Sequence, residues 1–107
     1  MRILFDQGVP VPLRSALGHH TVESAFERGW SDFDNGQLLD AAESEGFELL
    51  VTTDQNLRYQ QNLTVGRISI LVLTTTSWPR IQKHTDLIAA VIDALRAGEY
   101  RELSFPK

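Results

Sequence analysis

Short apolar runs alternate with stretches of helical spacing along this chain. RILFD, Arg2 to Asp6, is an apolar run that stops at an acid, and Gly8, Pro10 and Pro12 follow at once. Strand, turn and then a proline-started helix over Pro10 to Leu17 is the reading, with Gly18 as its stop. HTVESA reads as a second short strand, with a helix beginning near Glu23 as the alternative. From Asp34 the spacing becomes helical: Asp34 or Asn35 caps a helix over Gln37 to Glu45, and Gly46 closes it. FELLVTT and RISILVLTTT are continuous apolar runs of strand length, rich in the β-branched residues that strands favour. Asn56 to Asn62, between them, reads as a short helix.

The last helix is the best defined by spacing. Ser77 stands as its cap and Pro79 in its first turn, while Ile81, Leu87, Ile88, Val91, Ile92 and Leu95 recur along one side until Gly98. EYRELSF then alternates as an edge strand covered on one face would. Strands alternating with helices, and central strands apolar throughout, predict an α/β fold: a three-layer, Rossmann-like arrangement with a mostly parallel sheet of about five strands and helices on both faces.

Composition narrows the class without changing that picture. With 107 residues the chain has room for one domain, taken here as 1–107. The absence of cysteine removes disulfide scaffolds, thiolate metal sites and a cysteine nucleophile. No run reaches the roughly 18 to 20 apolar residues of a membrane span, and Asp6 interrupts the N-terminus where a signal peptide would stay apolar. A cytoplasmic protein with no membrane association is the expectation. The net charge of -4 offers no global attraction to phosphate, so nucleic acid would need a local basic patch or a bound cation.

Candidate chemistry gathers at strand ends. Ligands of parallel sheets bind beyond the C-terminal ends of the strands, where strand order reverses. Asp6 and Asp54 both stand at such ends, and if strands one and three are neighbours the two carboxylates meet in one crevice. Two carboxylates held together repel, and their hard oxygens suit Mg²⁺ or Mn²⁺, which would orient a phosphodiester and activate water. The plainer alternative is that each aspartate only caps the element after it. Arg58, Tyr59, Gln60 and Gln61 follow Asp54 and would line the crevice mouth, the amides and Arg58 meeting phosphate or sugar and Tyr59 stacking a base; a solvated short helix is the alternative. His19, His20 and His84 form no ligand spacing, with His19 and His20 expected on opposite faces of a strand. Trp30 and Trp78 read as core-edge residues, with RNA stacking as the alternative. Dinucleotide, Walker and nucleophile-elbow motifs do not occur.

The segments LFDQGVPVPLRSAL and ERGWSDFDNGQLLDAAESEGFELLVTTDQNL resemble the compact PIN-like domains, which are related to the ribonucleases of toxin-antitoxin pairs. The resemblance spans roughly Ile3 to Leu73, and its most specific parts are the acid after the first strand and the LVTTDQNL block. It implies an acidic cluster that binds a divalent metal and cleaves RNA. On that resemblance Asp6 and Asp54 are the first and last acids, and Glu27, with Glu23 as competitor, is the second. The third position falls on Asn35, an amide in place of an acid, unless Asp34 or Asp32 substitutes; Gly8 stands where relatives often have asparagine. The expected activity is a Mg²⁺- or Mn²⁺-dependent endoribonuclease with Asp6, Glu27 and Asp54 catalytic, partnered by RNA and by an antitoxin protein. The alternatives are a catalytically inactive PIN-like module that binds RNA or protein, and a structural domain whose edge strand near Tyr100 to Phe105 forms a homodimer.

Overall fold

The computed structural model describes residues 1–55 and 68–105. Five strands form one sheet: β1 Arg2–Phe5, β2 Thr21–Ser24, β3 Leu49–Thr52, β4 Ser69–Leu73 and β5 Tyr100–Leu103. All four pairings are parallel, in the order β2-β1-β3-β4-β5. HTVESA is therefore strand rather than helix, and EYRELSF is the far edge strand. Chain order reverses around β1, which places the switch point between β1 and β3.

Side-chain alternation divides the core into two layers. Ile3, Phe5, Leu49, Val51, Leu71 and Leu73 face one side, where Leu13, Leu17, Ile81, Ile88 and Ile92 cover them. Leu4, Leu50, Ile70 and Val72 face the other, covered by Leu38, Ala42 and Phe47. Because β3 and β4 are buried at every position, they carry no polar face, and that is why their sequence shows no alternation. Helices on both faces of a parallel sheet make the three-layer α/β arrangement that the pattern predicts.

α1, Asn35–Ser44, begins at a reciprocal cap: Gln37 N donates to Asp34 Oδ1 at 2.8 Å and Asp34 N donates to Gln37 Oε1 at 3.0 Å. It ends before Gly46, whose φ of 80° is the left-handed conformation glycine adopts without cost. The predicted helix over Pro10 to Leu17 is instead a 3-10 helix, Val11–Leu17, and Gly18 ends it without a left-handed turn, at φ -61°.

The final helix differs most from its periodicity. It is broken into α2, Trp78–Ile81, a 3-10 turn, Gln82–His84, and α3, Thr85–Ala94. The break is fixed from outside: His84 stacks on Phe105 with centroids 5.5 Å apart, and Arg80 Nη2 donates to Phe105 O at 3.3 Å. α3 stops at Leu95, before Gly98, because Ser69 Oγ donates to Arg96 O at 2.8 Å and accepts from Gly98 N at 3.2 Å, tying the outgoing loop to β4. Leu87, expected on the apolar stripe, is 41% exposed.

Candidate functional site at the C-terminal edge of the sheet

The register brings the candidate acids to one edge. β1 pairs with β3 through Phe5 opposite Val51, and Asp6 N donates to Val51 O at 2.9 Å, so the next residue of β3, Thr52, stands beside Asp6. Thr52 is buried and its hydroxyl serves both acids: it donates to Asp6 Oδ2 at 2.8 Å and accepts from Asp54 N at 3.1 Å. Asp6 Oδ1 accepts from Gln7 N at 2.8 Å. Asn35 Nδ2 donates to Asp54 Oδ2 at 2.7 Å, joining the start of α1 to the end of β3. Asp6, Asp54 and Asn35 are thus drawn together from three elements, and Thr52 is the link.

Thr52 was within reach of the sequence, since a threonine two residues before Asp54 at the end of an apolar strand has its hydroxyl at the strand's polar exit. Gly8 has a local reason as well. A Cβ there would collide with Thr53 Oγ1, so the close packing of the β1 and β3 exits leaves no room for a larger side chain unless Thr53 rotates away.

The remaining candidates are placed differently. Glu27 follows β2 and shares a concavity of about 510 Å³ with Asp6, but its carboxylate is engaged. Arg14 grips both of its oxygens, the Nη1 contact to Oε2 measuring 3.4 Å. Ser24 N donates to Glu27 Oε1 at 3.0 Å while Glu27 N donates to Ser24 Oγ at 3.1 Å. Chiefly the Arg14 hydrogen bond, and then the Ser24 backbone and hydroxyl, hold this carboxyl below its usual value of 4.5. A carboxylate so stabilised is a weak base.

Glu23, the competitor, belongs to another network: it pairs with Arg2 at 3.4 Å and Arg28 at 3.5 Å, and Arg28 also pairs with Glu45 at 2.8 Å. Both arginines lie over the Phe47 ring, at 4.5 and 5.6 Å from its centroid. Trp30 completes this cluster, stacked on Phe33 at 5.9 Å and edge-on to Phe47 at 6.2 Å, a core-edge role as its position predicts. Asp34 spends one carboxylate oxygen on the α1 cap, and Asp32 is exposed. His19 and His20 precede β2 rather than lying on a strand, and His20 Nε2 lies 3.1 Å from Asp93 Oδ1. Arg58, Tyr59, Gln60 and Gln61, together with the short helix expected over Asn56 to Asn62, lie outside the described residues.

Among the described residues, no group of three or more His, Asp or Glu side chains lies close enough to share a metal ion. Mg²⁺ commonly takes only one or two protein carboxylates and completes its shell with water and phosphate. Asp6 and Asp54, tied through Thr52, meet that requirement in donor chemistry while falling short of an all-protein cage. Among the described residues, too, no helix is long and apolar enough to cross a membrane. Comparison with known proteins gives no match: no family model, curated protein or solved structure matches the chain.

Proposed function

We propose that this protein is a divalent-metal-dependent nuclease of PIN-like type acting on RNA. The observation that carries the reading is the Asp6–Thr52–Asp54 link at the switch point of a fully parallel sheet. Asp6 and Asp54 would hold Mg²⁺ or Mn²⁺, which when bound supplies an activated water and charge stabilisation at the phosphodiester. Thr52 fixes the Asp6 carboxylate and the Asp54 backbone, so neither acid has to be ordered when substrate arrives. Asn35 orients the Asp54 carboxylate without adding charge. Glu27 acts with Arg14 as a neutral pair on the wall of the same crevice rather than as a base. In a toxin-antitoxin arrangement, a small antitoxin protein would inhibit by covering this edge.

A second reading is favoured by the acids themselves. Asn35 replaces one, Asp34 caps a helix and Glu27 is bound to Arg14, a set suited to a module that binds RNA without cutting it. Labelled single-stranded and hairpin RNAs incubated with Mg²⁺ or Mn²⁺ separate the two. A nuclease cuts only with the cation, and Asp6→Ala plus Asp54→Ala slows it by at least about a thousandfold, several kcal/mol of lost stabilisation. A folded wild type that binds these RNAs, leaves them intact in both metals and keeps its affinity in Asp54→Asn establishes the binding module instead.

A further inference from the structure

Phe26 is 78% exposed, more than any other large apolar side chain among the described residues. Single exposed apolar residues are ordinary, but this one is not isolated. The register of β1 with β2 sets Phe5 opposite Ser24, and Ala25 N donates to Phe5 O at 2.8 Å. The turn carrying Phe26 and Glu27 is therefore fixed beside Asp6. Phe26 lines the concavity of about 510 Å³ together with Asp6, Val9, Val11, Arg14 and Glu27, and Val11 is itself 53% exposed. That volume falls inside the roughly 300 to 1,000 Å³ of small-ligand sites.

The lining is mixed in a particular way. It combines an exposed aromatic ring and an exposed aliphatic neighbour with the Arg14–Glu27 pair, and it includes Asp6, an acid of the proposed metal site. The Arg14 side chain is about 36% exposed where it pairs with Glu27, and a guanidinium carries five N–H donors, so its outer edge keeps donors beyond the two contacts to the carboxylate. A flat ring with polar edges, attached to a charged backbone, matches this combination in chemistry. We infer that the concavity receives an unstacked nucleobase of single-stranded RNA, laid on the Phe26 ring with its edge toward Arg14 and Glu27, while the adjoining phosphate extends toward Asp6.

The inference rests on the nuclease reading and names its substrate subsite. Stacking on an aromatic ring tolerates every base, so Phe26 contributes affinity and the Arg14–Glu27 pair contributes base preference. A purely apolar partner surface would leave that ion pair with nothing to recognise. Phe26 is also too exposed to support the core, and its replacement leaves the fold intact.

Fluorescence anisotropy with a short, fluorescein-labelled, phosphorothioate-linked single-stranded RNA in Mg²⁺, a hard cation that sulfur ligates poorly, tests the subsite with cleavage of the probe suppressed. Phe26→Ala weakens binding about 5- to 150-fold, the equivalent of about 1–3 kcal/mol of stacking, and Phe26→Trp restores it. The same RNA made abasic binds wild type and Phe26→Ala equally. Equal affinity of wild type and Phe26→Ala for the intact RNA overturns the inference, as does conversion of a dimer to a monomer by Phe26→Ala in gel filtration with RNA affinity unchanged. A wild type that takes up Mn²⁺ and cuts RNA while Phe26→Ala does so equally well loses this inference alone. A wild type that neither takes up Mn²⁺ nor binds the RNA loses the nuclease reading and the subsite together.

Discussion

Each edge of the sheet has a concavity and a pair of acids, but the two pairs are held in different ways. At the N-terminal edge, a concavity of about 410 Å³ includes Glu43 and Glu48 in its lining. Glu43 Oε1 accepts from Ile68 N at 3.2 Å and Glu48 Oε1 from Arg2 N at 3.1 Å. These N–H groups stand at or just before the start of a strand, so the glutamates complete the backbone hydrogen bonding of the edge. At the C-terminal edge the strands expose carbonyl oxygens, which repel carboxylates. There Asp6 and Asp54 depend on a threonine hydroxyl, an asparagine amide and a neighbouring backbone N–H. Acids at the first edge meet backbone donors that the sheet offers; acids at the second are held largely by side chains, the arrangement to which we assign a cation.

The largest effect expected to sharpen that contrast is ligand-linked. Mn²⁺ at a hundredfold excess over its Kd adds about 2.7 kcal/mol to wild-type stability. By differential scanning fluorimetry the gain vanishes in Asp6→Asn and persists in Glu48→Gln; a gain that survives Asp6→Asn puts the cation elsewhere. Thr52→Val comes next. It removes a buried hydroxyl that serves two groups, and urea denaturation should record a loss of roughly 1–3 kcal/mol. A neutral result would mean that the two acids do not lean on Thr52.

Asp34→Ala is expected to cost about 1 kcal/mol, measured in the same way, because the α1 cap loses its acceptor for Gln37 N. If Asp34 were a metal ligand as well, its replacement would also lower the affinity for Mn²⁺ in a direct titration. Glu48→Gln keeps an oxygen for Arg2 N and should change stability by no more than about 0.5 kcal/mol.

The smallest effect is the pH dependence carried by Glu27. Its carboxyl is held below 4.5 by Arg14 and Ser24, so the folded state binds that proton less readily than the unfolded chain does. Its contribution is fully present above the usual carboxylate value and is lost as pH falls through the depressed one. Wild type should therefore lead Glu27→Gln slightly in thermal melts at neutral pH and lose the lead in acid. The pair is exposed and screened, and high salt should erase the difference.

The two central strands β3 and β4 were easily read, because burial on both faces writes itself as unbroken apolar runs, LLVT and SILVL, whereas HTVESA at the sheet edge left strand and helix open. α1 was legible through its chemistry at both ends, the Asp34 cap and Gly46. Where long-range contacts decide, local pattern failed: spacing from Ile81 to Leu95 says nothing of Phe105 docking on His84 or of Ser69 seizing the 96–98 loop. The candidate site divides along the same line. Asp6 and Asp54 are visible as strand ends, and their linkage follows once β1 and β3 are neighbours. That Glu23 would be claimed by Arg2 and Arg28, and Glu27 by Arg14, depends on which arginines fold back, for which spacing holds no signal. Phe26 stands in no motif or periodic pattern, and only its exposure in the fold sets it apart.

The hydroxyl bridge from Thr52 to Asp6 also has a kinetic meaning. It joins residues 46 apart in sequence, and no hairpin brings them together, since every pairing in the sheet is parallel and needs a crossover. The chain must close that long loop before β1 and β3 reward it, a larger entropic cost than any other pairing in the sheet carries. On the proposed reading, a chain whose β1 and β3 have not paired lacks the Asp6–Asp54 cation site, so a metal that slows unfolding without speeding folding would put that pairing after the transition state.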